Sequence, residues 1–338
     1  VAMVWSELGS YETTLIVALL SSTRLMMASD IDEMERIYGA EIIRLVNSVV
    51  QLHEFRGERD ESSPEQVERL RRMLLSMVDD VRAVLIKLAF RVQRMRQLKL
   101  APEYEQQEIA QESLDIFAPI ANRLGIGQLK WELEDLAFRY LQPETYKRIA
   151  KSLDGKIEER EQFIHEVVEK IKEITSKEGI DAEIYGRPKH IYSIWKKMTS
   201  KSRNFDELFD VRAVRVVVDN IAECYVVLGL VHAQWRHIDK EFDDYIANPK
   251  DNGYQSLHTA VYGPHGKPVE VQIRTKQMHE FAEFGVAAHW RYKEAGSSKS
   301  NTQSGIESLR KLLDATRSND EELLESFRTE MFNDRVYV

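Results

Sequence analysis

Two segments of the sequence concentrate the side chains that could do chemistry. Ile184 to Asn204 carries six lysines or arginines and no acid, although the whole chain has a net charge of −9. Glu241 to Thr275 combines acids, a lysine, an asparagine, a tyrosine and a histidine with a strand of alternating polarity. Cations, carboxylates and aromatic rings are groups that bind phosphates, metal ions and bases. Together the two segments indicate a nucleotide and metal site.

The basic segment predicts a helix that begins near Pro188, because proline suits the first helical position. At 100° per residue, one face is apolar and the other carries Lys189, Ser193, Lys196 and Lys197. A helix N-terminus adds backbone N–H donors and partial positive charge, both of which suit phosphate. The alternative is a solvated basic face, but the lack of any acid favours phosphate binding.

The strand Pro268 to Thr275 places Glu270, Gln272 and Arg274 on one face. Asp210 opens a valine-rich strand and is the natural partner of Glu270, since Mg²⁺ takes one or two carboxylates together with phosphate oxygens. The other interpretation is the wet side of an antiparallel sheet. Spacing alone leaves both interpretations open.

A loop from Ala247 to His258 separates the acidic residues from this strand. Asn252 and Gly253 favour a turn, and Tyr254 follows it. A tyrosine ring can stack on a base, whose edge asparagine, glutamine and histidine can then bind. A tyrosine beside a turn is usually a packing residue, but these polar neighbours favour base stacking.

The elements that must position these groups change type near residue 180. Residues 1 to about 150 predict helices, and a striped helix at 156–177 is expected to be a solvated connection. From Asp181 strands and helices alternate, with a hairpin formed by 256–262 and 268–275 and a closing helix at 278–292. The expected fold is therefore α+β and multidomain, with a small sheet backed by helices.

Composition excludes several classes of protein. A net acidic surface is not built to bind nucleic acid, and the sequence has no GxxxxGK[ST] motif of a P-loop NTPase. The single cysteine, Cys224, excludes an internal disulfide framework and is read as a small buried residue rather than a reactive thiol. The apolar run Leu15 to Leu20 is too short to span a membrane, and since no charged region precedes it the sequence predicts no signal peptide. We expect a cytoplasmic protein with no membrane partner, and both ends look cut from a longer chain.

Five ordered motifs resemble the RelA/SpoT family, the alarmone synthetases and hydrolases of the bacterial stringent response. They are GRPKHIYSIWKKM (186–198), FDELFDVRAVRV (205–216), EFDDYIANPKDNGYQSLHT (241–259), VEVQIRTKQMHE (269–280) and GVAAHWRYKE (285–294). The resemblance implies a nucleotidyltransferase-like mixed sheet that transfers pyrophosphate from ATP to the 3′-hydroxyl of GDP or GTP. The products would be ppGpp or pppGpp, and AMP.

The same resemblance implies a role for each candidate residue. Asp210 and Glu270 would bind the cofactor Mg²⁺, and Glu270 is also a candidate base for the 3′-hydroxyl. The ATP side would be formed by Arg187, Lys189, Ser193, Lys197 and Arg215. The GDP or GTP side would be formed by Lys250, Asn252, Tyr254, Gln255 and His258.

The N-terminal region resembles the family's all-α HD-type hydrolase domain in a degenerate form. Its catalytic positions hold Ser21, Ser22, Leu25, Met26 and Phe90. Residues 1–150 contain one histidine, His53, which is too few for a site with several histidine ligands. We expect a pseudo-hydrolase at 1–125, a helical connector at 126–180, a synthetase domain at 181–296 and a linker and helix at 297–338; an intact hydrolase site hidden by misalignment is the alternative.

Glu241, Asp243 and Asp244 form an acidic motif where bifunctional members carry Arg-x-Lys-Asp. The resemblance therefore implies a synthetase-only member of the RelA type, with a preference for GDP. The last residues resemble the opening of a regulatory half whose domains would bind the ribosome and uncharged tRNA. The alternative function is a nucleotide-binding regulatory module with a silent synthetase.

Overall fold

The computed structural model describes residues 12–21, 31–53, 80–154, 157–187, 189–200 and 212–285. They form two compact units. The first contains the described residues up to Ala137 together with Phe284 and Gly285, and the second runs from Phe138 to Glu283. None of the helices in these ranges has the length and apolarity that a membrane span requires. The domain limits expected from the sequence remain a prediction.

The first unit is helical throughout its described part, as the sequence predicted. Asp80 begins one of its most buried helices by accepting a hydrogen bond from the Arg82 amide at 2.9 Å. A 3₁₀ turn at Leu98–Leu100 and a π turn at Ser113–Phe117 interrupt the series. The helices are α1 (Glu12–Leu20), α2 (Ile31–Tyr38), α3 (Ala40–His53), α4 (Val81–Arg96), α5 (Glu103–Glu112), α6 (Ala118–Arg123) and the larger part of α7 (Gly127–Leu141).

The second unit is built on a mixed five-stranded sheet, which confirms the expected fold class. Its strands are β1 (Glu183–Arg187), β2 (Ala213–Val218), β3 (His237–Asp244), β4 (Leu257–Tyr262) and β5 (Pro268–Thr275). They lie in the order β1-β2-β5-β4-β3, and only β2 and β5 are parallel to each other. The helices are the end of α7, α8 (Pro143–Asp154), α9 (Ile157–Lys177), α10 (Ile191–Ser200), α11 (Ile221–Gln234) and α12 (Lys276–Phe284).

One face of this sheet is apolar and packs against α9 and α11. Phe163, Val167 and Ile171 of α9 are buried there with the alternate valines of β2 and β5. The approach is so close that a Cβ on Gly186 would lie 2.6 Å from Cγ2 of Ile164. The apolar stripe on α9 is confirmed, but its interpretation as a solvated connection is wrong, because the stripe forms part of the core.

The same core contains Cys224, which confirms its interpretation as a small buried residue. Its side chain is fully buried in α11. Burial, then the negative charge of Glu223, raises the pKa of the thiol to about 12, so the reactive thiolate is absent at neutral pH.

Two helix boundaries and one strand differ from the sequence prediction. α10 begins at Ile191, where the Ile194 amide donates to the His190 carbonyl at 3.1 Å, so Lys189 precedes the helix. α12 ends at Phe284, because Gly285 has φ +54, whereas the prediction continued to residue 292. Strand β3 was missed because it is an edge strand, mostly exposed and without apolar alternation. The hairpin of β4 and β5 is confirmed.

Candidate active site

The candidate site lies on the polar face of the sheet, opposite α9 and α11. Strand register aligns one row of polar side chains across four strands: Tyr185, Arg215, Gln272 and His258. The next row holds Arg187 and Glu270, each opposite Ala213 of β2. The fold thus brings together Arg187, Arg215, His258 and Glu270 from four different strands. This face is not the wet side of a sheet, since Gln272 is 2% exposed and Arg274 is fully buried.

Glu270 is held as a carboxylate by its surroundings. Its Oε1 lies 3.3 Å from Nδ1 of His258 and accepts a hydrogen bond from Nε2 of Gln272 at 3.2 Å. Burial favours the neutral acid, but His258, Lys189 and Arg187 outweigh burial and lower the pKa of Glu270 well below its ordinary value. Glu270 is therefore ionised at neutral pH and can bind a cation.

His258 links Glu270 to the tyrosine of the loop. Nε2 of His258 lies 2.8 Å from the Tyr254 hydroxyl, on the side of the ring away from Glu270. Burial opposes the charged imidazolium, yet Tyr254 and Glu270 raise the pKa of His258. Burial likewise opposes the phenolate, but His258 and the more distant Arg274 and Arg187 lower the pKa of Tyr254 to about 7. The three side chains form one hydrogen-bonded chain across the site.

Tyr254 belongs to a cluster of three rings, Tyr245, Tyr254 and His258, which we call the aromatic wall. The sequence predicted this cluster only in part. Tyr245 packs edge-on against Tyr254 and His258, with ring centroids 6.2 and 5.3 Å away. Nζ of Lys250 lies 4.7 Å from the Tyr245 centroid and 5.9 Å from that of Tyr254. Tyr245 was not predicted, although its position directly after the acidic motif was a usable signal.

Two predicted residues of the loop hold its shape. The Asn252 side chain accepts a hydrogen bond from the Tyr254 amide at 3.1 Å, and Gly253 has φ +79 in the predicted turn. Nε2 of Gln255 donates to the Ile246 carbonyl at 3.2 Å. Both contacts fix the direction in which Tyr254 faces the site.

The basic helix α10 is anchored as the sequence predicted. Ile194 is fully buried, and the Trp195 ring lies 4.8 Å from that of Phe138. Ser193 and Lys197 are partly exposed on the helix. The prediction that Lys189 lies on a helical face is wrong, because the residue precedes the first helical turn, but its charge still acts on Glu270.

Arg215 has partners that sequence reasoning missed. Its Nη1 donates to Oε1 of Glu283 in α12 at 2.8 Å, and Nη2 of Arg274 donates to the same oxygen at 3.1 Å. Nη2 of Arg274 also lies 2.6 Å from Nδ1 of His279. Alternation along β5 placed Arg274 on the correct face, but no sequence signal pairs α12 with this row.

The acidic motif divides between two tasks. Asp243 is exposed and is paired in register with His258, which places it at the edge of the site. Asp244 instead accepts hydrogen bonds from the amides of Ile246 and Ala247 at 3.0 and 2.8 Å, and from the Tyr225 hydroxyl at 2.9 Å. Asp244 therefore shapes the turn that follows β3. Glu241 is partly exposed in the same strand.

The residues present fit a magnesium ion in part. Glu270 supplies an ionised carboxylate, which suits a cation that takes one or two carboxylates plus substrate oxygens. Its predicted partner Asp210 lies outside the described residues, two positions before Arg212, whose carbonyl accepts a hydrogen bond from the Glu270 amide. Across the described ranges, no three His, Cys, Asp or Glu side chains gather into a complete metal site.

The degenerate hydrolase positions show no metal-binding chemistry where they are described. Ser21 is buried and donates to the Ala18 carbonyl at 3.3 Å, and Phe90 lies in α4. The next residue in the helix, Arg91, pairs with Glu112 at 2.6 Å, and Lys87, one turn earlier, is buried. The remaining positions, Ser22, Leu25 and Met26, lie outside the described residues.

Sequence comparison assigns both units to known families. Residues 186–297 match the family described as "Region found in RelA / SpoT proteins", and residues 1–127 match the HD domain. The chain is 53% identical over 316 residues to the GTP pyrophosphokinase of Escherichia coli (strain K12), which covers 91% of this chain and 42% of that protein. It is 40% identical to a probable guanosine-3′,5′-bis(diphosphate) 3′-pyrophosphohydrolase of Synechocystis sp., covering the whole chain and 45% of that protein.

The chain therefore spans less than half the length of these curated relatives. Among solved structures, small alarmone synthetase 1 from Bacillus subtilis bound to pppGpp overlaps 54% of this chain and 99% of its own, at 25% identity and a TM-score of 0.36. An overlap at that score adds no weight, so the assignment rests on the sequence matches. Because both regions match in order and relatives exceed 50% identity, the chain belongs to the RelA/SpoT family.

Proposed function

We propose that this chain is an alarmone synthetase that transfers pyrophosphate from ATP to the 3′-hydroxyl of GDP or GTP. The observation that carries the proposal is Glu270, an ionised carboxylate among cations on the sheet face that also bears the aromatic wall. A carboxylate suits a metal ion, the cations suit phosphates, and the rings suit a base. The 53% identity to a GTP pyrophosphokinase supports the same reaction.

The two nucleotides take opposite sides of Glu270 in this proposal. ATP phosphates lie against β1 and α10, where the cationic and hydroxyl groups are Arg187, Lys189, Ser193 and Lys197, with Arg215 beside them in β2. The guanine base stacks on Tyr254, and the groups around the acceptor are Lys250, Asn252, Gln255 and His258. Arg187 and Arg215 on one side and His258 on the other share the polar face of the sheet with Glu270, so both substrates can approach one carboxylate.

The reaction forms a bond from the acceptor 3′-oxygen to the β-phosphorus of ATP and breaks the bond between that phosphorus and the α-phosphate oxygen, releasing AMP. Mg²⁺, bound by Glu270 with Asp210, would offset charge on the phosphoryl oxygens when present. The lowered pKa makes Glu270 a good cation ligand and a weak base. We therefore assign Glu270 first to cation binding and second to accepting the 3′-hydroxyl proton at its carboxylate oxygen.

We further propose that the first unit no longer hydrolyses ppGpp. Phe90 offers no ligand atom, and the Ser21 hydroxyl donates to the Ala18 carbonyl. The residues at these positions therefore lack the histidine and carboxylate ligands that a hydrolase metal site needs. The acidic motif fits a synthetase-only member that prefers GDP. Cytoplasmic localisation, and contact with the ribosome and uncharged tRNA through domains beyond this chain, remain predictions.

The decisive experiment incubates the chain with ATP, GDP and Mg²⁺, and separates the products by thin-layer chromatography. We expect ppGpp and AMP from the wild type and from Glu178→Gln, an exposed control in the same unit. Glu270→Gln should lower the rate by at least about 100-fold, because it removes the charge on which cation binding depends. Synthesis by Glu270→Gln at the wild-type rate would contradict the metal assignment.

The same assay separates the alternatives. Tight binding of ATP and GDP without any product would favour a regulatory module with a silent synthetase. Breakdown of added ppGpp with Mn²⁺ would contradict the loss of hydrolase activity. GTP used better than GDP would contradict the preference assigned to the acidic motif.

A further inference from the structure

Arg215, which we propose for the ATP side, is held in place by α12, a helix for which the sequence predicted no role in ATP binding. Nη1 of Arg215 donates to Oε1 of Glu283 at 2.8 Å, and the same oxygen accepts from Nη2 of Arg274 at 3.1 Å. Arg215 is 5% exposed and Arg274 is fully buried. One carboxylate of α12 therefore fixes two arginines from the neighbouring strands β2 and β5.

His279 completes this cluster from the same side of α12, since residues four apart share a helical face. Its Nδ1 lies 2.6 Å from Nη2 of Arg274, and its Nε2 lies 3.4 Å from the Tyr185 hydroxyl. Burial, then the charges of Arg274 and Arg215, lower the pKa of His279 to about 4. The imidazole is thus neutral at physiological pH, so Nδ1 can accept from Arg274 while Nε2–H donates to Tyr185.

The cluster has more positive charge than its own carboxylate can offset. Two guanidinium groups face one carboxylate and one neutral imidazole. The nearby Tyr254 hydroxyl, whose pKa is about 7, carries only part of a negative charge at neutral pH, so a net positive charge remains out of water. Nε of Arg215, and Nε and Nη1 of Arg274, have no hydrogen-bond partner within the described part of the protein. Buried donors and charges without partners cost free energy, so a nearby anion, such as the phosphates of a nucleoside triphosphate, is expected to stabilise this arrangement.

We propose that Glu283, with Arg274 and His279, positions Arg215 for ATP, so that α12 is part of the ATP side of the site. The inference deepens the proposed function and rests on Arg215 contacting ATP. A free arginine side chain must lose its rotational freedom when ligand binds, whereas one already held by Glu283 has lost it on folding. Glu283, Arg274 and His279 act through Arg215, and none of them needs to touch the substrate.

The test compares Glu283→Gln, Arg215→Gln and the double variant with the control Glu178→Gln. Binding of the non-hydrolysable analogue α,β-methylene ATP with Mg²⁺ is measured by calorimetry, and KM for ATP and for GDP is measured in the synthesis assay. Glu283→Gln should weaken analogue binding and raise KM for ATP by about tenfold, as expected for loss of a charge-assisted hydrogen bond, and change KM for GDP less than twofold. The double variant should bind the analogue as Arg215→Gln does, because coupled residues are not additive.

Two results would overturn the inference. In one, the losses from the two single variants multiply in the double variant; in the other, binding of GDP weakens as much as that of the ATP analogue. Thermal denaturation checks the fold of each variant, and Glu283→Asp, which keeps the charge, replaces Glu283→Gln if the latter does not fold. The shorter side chain should then weaken analogue binding by about threefold, with GDP binding unchanged.

The binding measurement also separates this inference from the proposed function. If the wild-type chain makes no ppGpp but Glu283→Gln still weakens binding of the ATP analogue selectively, the synthetase is refuted and the positioning of Arg215 by Glu283 is supported. If Glu283→Gln makes ppGpp at the wild-type rate and binds the analogue as the wild type does, the positioning role of Glu283 is refuted and the proposed synthetase activity still stands.

Discussion

Replacement of Lys87 by methionine tests the physical state of the degenerate hydrolase site. Lys87 lies in the middle of α4 and is 7% exposed. Burial, then the charge of Arg91, lowers the pKa of its amine from 10.5 to about 7, although Glu112 opposes the shift. In the unfolded chain the amine keeps its ordinary pKa, so between about pH 7 and pH 10.5 the unfolded state binds more protons than the folded state. Stability should therefore rise with pH in this window, and the full penalty is present below pH 7.

The magnitude follows from the two pKa values. The difference between 10.5 and about 7 corresponds to roughly 5 kcal/mol when the folded amine is fully protonated. Proton linkage then gives a penalty of about 5 kcal/mol near pH 6 and about 3 kcal/mol near pH 8.5, both upper limits. The Lys87→Met variant has a side chain of similar length without the charge. It should raise the free energy of unfolding of this unit by up to these amounts and remove the rise of about 2 kcal/mol between the two pH values.

Urea denaturation followed by circular dichroism at 222 nm, at about pH 6, 7 and 8.5, measures the effect. Lys99→Met is the matched control, since Lys99 is exposed in the same unit. Because this variant keeps Lys87, its stability should rise with pH as that of the wild type does. A Lys87→Met variant that is less stable than the wild type near pH 6 would refute a penalty from the buried amine. A variant that keeps the wild-type difference in stability between pH 6 and pH 8.5 would refute it as well.

Three further substitutions test particular contacts. Tyr254→Phe keeps the ring and removes only the hydroxyl bonded to His258. Calorimetry should therefore show that GDP affinity falls less than about threefold in Tyr254→Phe but about tenfold or more in Tyr254→Ala. Equal losses in the two variants would contradict base stacking. Asp244→Ala removes the acceptor of two turn amides and should cost about 1–2 kcal/mol in thermal denaturation without changing the choice between GDP and GTP; altered selectivity would contradict a structural role. Gly285→Ala forces a Cβ against the Leu124 carbonyl at φ +54 and should cost about 3 kcal/mol or more; a loss below about 1 kcal/mol in urea denaturation would show that this backbone relaxes.

Which side chains share a face could be read from the sequence because side-chain direction is a local property. Alternation along β5 placed Glu270, Gln272 and Arg274 on one face, and helical periodicity found both the apolar stripe of α9 and the buried Ile194 of α10. The boundary errors at the start of α10 and at the end of α12 have local causes as well. They arise at a cap and at a glycine, which a periodic pattern does not resolve.

Contacts between distant elements were decided only by the tertiary structure. Periodicity showed that Arg274 faces the side of Glu270, but not that Glu283 of α12 would pair with it and with Arg215. The sequence grouped Asp243 with Asp244. In the structure, strand pairing places Asp243 at the edge of the site, whereas Asp244 binds the amides of the turn that follows β3. The resemblance to the family gave Glu270 its expected role as a metal ligand, and the family motifs predicted the class of reaction. Only the folded arrangement places His258, Lys189 and Arg187 around Glu270, where they hold it ionised against the effect of its burial. Only the folded arrangement also brings Arg215 and Arg274 to the single carboxylate of Glu283.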